Sequence, residues 1–192
     1  MKKSVLLVLI AVLSSGLCVN AQKMDVKSGS VDALKGQKTL LVQYDYSNMS
    51  VGKYDKEADY IDLKVADGNN AEPGKGDKWK KDWFDKRSSA YEPSFEELFN
   101  KYAEKTGLAC SKDAKDAAYI MNVHTTFTDV GYYVGVSSKP SYISAEITFT
   151  KASSGEKAAV IVAEKCPGVG GIKEAYAKLG KSLAAFIDKN LK

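Results

Sequence analysis

Arginine and histidine are almost missing from this chain. Its 192 residues include one histidine, His124, and one arginine, Arg87. A lone histidine excludes any site that needs two, and with few, widely spaced cysteines no close ligand pair is left for zinc. A lone arginine removes the planar two-pronged donor that usually grips phosphate or carboxylate. Glycine-rich phosphate loops are missing too. Pro167-Gly-Val-Gly-Gly171 carries Lys173 where a dinucleotide loop needs another glycine, and it lacks a Gly-Lys-Ser/Thr ending. It reads as a plain strand-to-helix connector. The chain has 28 basic and 24 acidic residues, a formal charge of +4, with no basic track of the kind nucleic acid requires. Neither nucleic acid, a cofactor nor a metal is therefore expected.

What is present begins with a leader. Lys2 and Lys3 precede an apolar run from Val5 to Leu13, and Val19-Asn20-Ala21 supplies small residues at a cleavage site. This pattern predicts a signal peptide over residues 1–21 and export to the periplasm or cell envelope. Leu17 stands before Cys18 where lipid attachment wants a small residue, so no lipid anchor is expected. No second long apolar run follows, and stable membrane insertion after signal removal is not expected. Cleavage leaves Cys110 and Cys166. An even count in an oxidising compartment suggests a disulfide. The strand order argues against one, because it puts the two near opposite sheet ends, roughly 17–20 Å apart against a Cα limit of about 7 Å.

Residues 22–38 are polar and glycine-containing and read as a mobile N-terminal arm, with a single α+β domain over residues 39–192. Leu40, Val42, Tyr44 and Tyr46 alternate with Leu41, Gln43 and Asp45 as in a strand with one buried face. From Tyr54 the spacing turns helical, with Asp55 placed as a cap. The turn formers of Asp67–Gly76 then predict an exposed loop. A second helix is expected from Asp77, with Trp79, Trp83 and Arg87 one turn apart and both tryptophans buried. Pro93 reads as a stop, and Ser94 with Glu97 as a capping box opening a third helix. Three strands follow, around Tyr119–Thr128, Ile143–Thr150 and Ala158–Glu164, and an amphipathic helix from Ile172 closes the chain. The expected architecture is an α+β two-layer sandwich: a mainly antiparallel four-stranded sheet with helices on one face and the other face wet.

No catalytic residues stand out. His124 falls in a solvent-facing row with Asn122 and Thr126, opposite a row containing Glu146 and Thr148, and reads as a surface histidine. Asp55, Glu57, Asp59 and Asp62 do not fit the spacing of a calcium loop. Val130-Gly-Tyr-Tyr-Val-Gly-Val136 is more apolar than a loop tip needs to be. Either the strand bends at Gly131 and buries half of these side chains, or Tyr132 and Tyr133 form a contact patch. The reading that follows is a non-enzymatic exported binding module whose partner is an envelope protein or a surface polymer. Its interaction patch comprises Tyr132, Tyr133, His124, Thr126, Glu146 and Thr148. The alternative is a carboxylate-dependent hydrolase of glycan or cell-wall polymer, which needs two acids about 5–10 Å apart in a cleft. A carrier of a small apolar ligand would need a closed cavity.

Four blocks carry a resemblance: Trp79-Lys-Lys-Asp-Trp83, Tyr91-Glu-Pro-Ser-Phe-Glu-Glu-Leu-Phe-Asn100, Ala118-Tyr-Ile-Met-Asn-Val-His-Thr-Thr-Phe127 and Ile172-Lys-Glu-Ala-Tyr-Ala-Lys-Leu-Gly180. Together they resemble a set of uncharacterised exported proteins of Bacteroidetes, which offers no catalytic residues to carry over. In order of elements the chain is also similar to envelope modules related to the amino-terminal domain of TolB. That likeness implies protein contact in the periplasm, and fold order alone does not license function.

Overall fold

The computed structural model describes residues 22–191. The expected signal peptide, with Cys18, lies outside them. The described chain opens with β1 (Lys23–Gly29), a 3-10 turn (Val31–Leu34), β2 (Thr39–Asp45) and the short β3 (Ser50–Val51). A helical stretch follows, made of α1 (Glu57–Ala71), α2 (Lys75–Lys86), a π-helical turn (Arg87–Tyr91) and α3 (Glu92–Ala103). Then come β4 (Ala109–Ser111), β5 (Tyr119–Asp129), β6 (Tyr132–Val134), β7 (Ser137–Lys139), β8 (Ser141–Lys151), β9 (Lys157–Gly168) and α4 (Ile172–Asn190).

The fold is α+β, as the alternating and helical spacings imply, but the sheet is larger than four strands and is mixed. Its order is β1-β9-β8-β5-β2-β4, with β3 also on β5. One half, β5-β8-β9-β1, is antiparallel. The other half, in which β2 runs beside β5 and β4, is parallel. The cause is the helical stretch between β2 and β5. A crossover of that length returns the chain in its starting direction, whereas tight hairpins reverse it.

The expected mobile arm is also corrected. Met24 pairs with Ala163 and Lys23 with Glu164, so residues 23–29 form an edge strand on β9. Backbone pairing holds this strand while most of its side chains stay exposed, which hides it from any reading based on apolar alternation. Its two lysines, Lys23 and Lys27, suit a sheet margin that must not pair with another chain. Val31 and Leu34, in the turn behind it, are fully buried.

Along β8 the alternation is regular: Ile143, Ala145, Ile147 and Phe149 are buried and their neighbours half-exposed. The buried face meets α3 and α4, where Phe95, Phe99, Tyr176, Leu179, Leu183 and Ile187 complete the core. Cys110 on β4 and Cys166 on β9 are buried free thiols. Four strand spacings separate them in the sheet order, roughly 19 Å, so the bridge suggested by their even number is not formed.

The helical stretch departs from expectation at two places. The predicted loop at Asp67–Gly76 is instead mostly helix and helix contact. A Cβ on Gly76 would lie 2.1 Å from the Val65 carbonyl oxygen, so glycine serves here to let α1 and α2 touch. Asn69 joins them, its Oδ1 accepting from the Gly76 amide at 2.8 Å and its Nδ2 donating to Asp77 at 3.2 Å. The second place is Pro93. It sits in the first turn of α3, and the chain passes from α2 through the π-helical turn without a break, so no Ser94 capping bond forms. Proline lacks only the amide that a first turn can spare, which makes it a poor stop signal at this position.

Candidate binding surfaces

The polar face of the sheet brings the predicted row together. His124 lies opposite Glu146, and Asn122 opposite Thr148, across the β5–β8 ladder. Most of these side chains are already engaged. The His124 Nε2 is 2.8 Å from the Ser47 carbonyl oxygen, Lys27 donates to Glu146 at 2.7 Å, and Thr126 donates to the Ser144 carbonyl at 3.3 Å. Partial burial opposes the charge of Asp45. Bonds from Ser47 and the nearby His124 outweigh it and hold the carboxyl below its usual range. His124, Thr126 and Glu146 are thus bonded within the protein, whereas Asn122 and Thr148 have no side-chain hydrogen bond among the described residues.

Tyr132 and Tyr133 stand elsewhere. β6 and β7 form a separate two-stranded ribbon between β5 and β8. Gly131 turns the chain into it with φ +65°, where a Cβ would strike the Lys139 carbonyl oxygen at 2.3 Å. Asp129 fixes the base by accepting from the Gly131 amide at 3.0 Å and from the Lys139 ammonium. The apolar side chains of this ribbon are not buried, which overturns the reading of a bent strand hiding half of them. Tyr133 is 81% and Val136 fully exposed, and Tyr132 and Val134 more than half so. The six expected residues thus form two features, a polar row and a projecting apolar ribbon.

A third feature went unread in the sequence. On the helix side of the sheet, beside the ribbon base, lies an open cleft of about 490 Å³. Its aromatic wall is Tyr60 on α1, Trp79 and Trp83 on α2, and Tyr91 at the end of the π-helical turn. The two indole rings stack at 5.4 Å with 28° between planes, and Tyr60 lies 5.4 Å from Trp83 and 5.8 Å from Trp79. Both tryptophans are half-buried, so the burial expected of them is only partial.

The wall is held from behind. Trp83 Nε1 donates to Glu57 Oε1 at 2.6 Å, and the Arg87 guanidinium donates to the same oxygen. Arg87 also lies 4.2 Å over the Tyr46 ring, which leans on Tyr176. The lone arginine is therefore a structural bracket joining α1, the π-helical turn and Tyr46, the residue that follows β2. The opposite side of the cleft is formed by Ile172 and Lys173 at the start of α4 and by Val130 and Ser141 at the feet of the ribbon. Here the Gly170 amide donates to the Glu174 carboxylate, so the glycine turn is engaged internally, as a plain connector should be. Gly170 and Lys178 keep that carboxyl below its ordinary pKa. The signal for this cleft was Trp79 and Trp83 at one-turn spacing beside charged residues, a pattern that a core stripe and a surface stack share.

Among the described residues no group of three or more histidine, cysteine, aspartate or glutamate side chains is arranged to hold a metal. No described helix is long and apolar enough to cross a membrane. No protein-family model matches the chain, and no curated protein matches it. Among solved structures it is loosely similar to the PelC dodecamer from Paraburkholderia phytofirmans, with 12% identity and a TM-score of 0.43 over 88% of this chain and 96% of that one. A single-substitution variant of that dodecamer gives 11% identity and a TM-score of 0.39 over the same shares.

Proposed function

We propose that this chain is a non-enzymatic, exported binding module of the cell envelope that docks a protein partner on the β6–β7 ribbon. The observation that carries the reading is the exposure of Tyr132, Tyr133, Val134 and Val136 on one small projection. Large apolar side chains held out by a braced ribbon give up conformational entropy before binding rather than during it. Being convex, they suit insertion into another protein's hollow, and tyrosine anchors are common at such contacts. The polar row of His124, Thr126, Glu146 and Thr148 lies on β5 and β8, the two strands of the main sheet that the ribbon connects, and is proposed as the outer part of that contact.

The test is a photo-crosslinking residue in place of Tyr133, introduced in the native host. A protein adduct of discrete mass that disappears when Tyr132 is also changed to serine supports the reading. An adduct of twice the chain mass identifies the partner as a second copy. A smear without discrete adducts, or an adduct indifferent to Tyr132→Ser, overturns it. The aromatic cleft has no carboxylate among its lining residues, so it does not supply the acid pair that the hydrolase reading needs.

A further inference from the structure

We infer that the aromatic cleft is a second binding site, separate from the ribbon, and that it takes an acidic saccharide chain, one bearing carboxylate or sulfate groups. The argument starts from charge. Lys64, Lys86 and Lys173 line the cleft, each contributed by a different helix, and no acidic side chain lines it. Among the described residues none of the three makes a salt bridge. Some lysines on the same helices are paired within one turn: Lys78 with Asp82 and Lys81 with Asp85 along α2, and Lys178 with Glu174 on α4. The three cleft lysines have no such partner and share a cleft with no acidic lining residue.

Shape and surface chemistry then select the ligand. A sugar ring has an apolar face of C–H bonds and a rim of hydroxyls, so it rests on an aromatic side chain while its edge stays wet. Trp79, Trp83 and Tyr60 offer such a surface, and the Glu57–Arg87 bracket fixes it before binding. The cleft is open to solvent, which suits part of a longer chain more than a small molecule enclosed on all sides. Ammonium groups act as point charges and accept carboxylate or sulfate without the fixed two-pronged geometry of arginine. Single-stranded nucleic acid also combines stacking with charge, but it asks for a basic track along its whole backbone. Three lysines in a chain with 28 basic and 24 acidic residues do not form one.

The purified protein is titrated with hexagalacturonate and with a sulfated heparin hexasaccharide, using its intrinsic tryptophan fluorescence. Cellohexaose serves as the neutral comparison and a twelve-residue oligothymidylate as the nucleic-acid one. At least one acidic hexasaccharide is expected to change the fluorescence and to bind at least about tenfold more tightly than cellohexaose, and which one does so tells carboxylate from sulfate. The combined variant Lys64→Gln, Lys86→Gln, Lys173→Gln should lose at least about tenfold in affinity while keeping the parent unfolding curve, since all three side chains are solvent-accessible. Binding should survive Tyr132→Ser, Tyr133→Ser, which tests the ribbon alone. Four results would overturn the inference: no binding of either acidic hexasaccharide, equal binding of cellohexaose, tighter binding of the oligothymidylate, or an unchanged affinity in the triple lysine variant.

Discussion

The hydroxyl of Tyr176, on the closing helix, lies 2.6 Å from the Thr125 hydroxyl on the central strand β5, and both residues are shut away from solvent. Each polar group satisfies the other at the point where helix layer and sheet meet. Tyr91 stacks on the same ring at 5.3 Å with 2° between planes, which ties the cleft wall to the core.

Tyr176→Phe should cost about 1–3 kcal/mol by leaving the Thr125 hydroxyl buried without a partner. Adding Thr125→Val removes the orphan and should recover part of that loss. Urea unfolding of the two single variants and the double variant checks it. Strict additivity would show that the bond contributes nothing.

Replacing Gly76 by alanine should destabilise the chain by about 1–3 kcal/mol, even though alanine favours helix by about 1 kcal/mol elsewhere. The added methyl meets the Val65 carbonyl oxygen of α1 and must push the helix pair apart. The same displacement should shift tryptophan emission to the red as Trp79 and Trp83 lose cover. A variant as stable as the parent would mean that the two helices yield without loss.

Both thiols should be inert in the folded protein. Burial raises the Cys110 thiol far above its ordinary value and pushes Cys166 up to about 12. A disulfide-exchange reagent at pH 8 should label neither within an hour, and both at once after denaturation. Fast labelling of the native chain would contradict their burial.

The ribbon should loosen in acid. Partial burial raises the Asp129 pKa, but the Lys139 and Gly131 bonds outweigh it and leave the folded value below the ordinary one. The support is therefore complete above the unfolded pKa of about 3.9 and is lost as pH falls through the lower folded value. Amide exchange in residues 131–139 should rise below that point. In Asp129→Asn it should already be fast at neutral pH, and identical exchange in parent and variant would remove this carboxylate from the account.

What could be read in the sequence follows from the physics of each segment. The strands β5, β8 and β9 and the helix α4 were legible because burial on one face writes itself as alternation or as a helical stripe, as in Ile143 to Phe149. β1 was not, because its pairing is made by backbone groups that carry no side-chain signature. The Asp67–Gly76 segment misled because glycine and asparagine mean freedom in a loop and closeness in a helix pair. Their spacing does not tell which. The ribbon was visible as an excess of apolar residues, although whether they were exposed was not. The two tryptophans signalled the cleft only ambiguously, and its lysines not at all, because Lys64, Lys86 and Lys173 lie far apart along the chain and line one cleft only in the folded chain.

The pairing of β1 with β9 joins the first described residues to a strand near the end of the chain, Lys23 to Glu164 and Gly29 to Ala159. The parallel seam of β2 and β5 likewise waits for the intervening helices. A polypeptide delivered amino end first would hold these early segments without their mates until residues 119–168 had arrived. Assembly of this sheet is therefore governed by distant closure, which is slow, and the unfinished edge of β9 is the place where a helper or an errant strand would find it open.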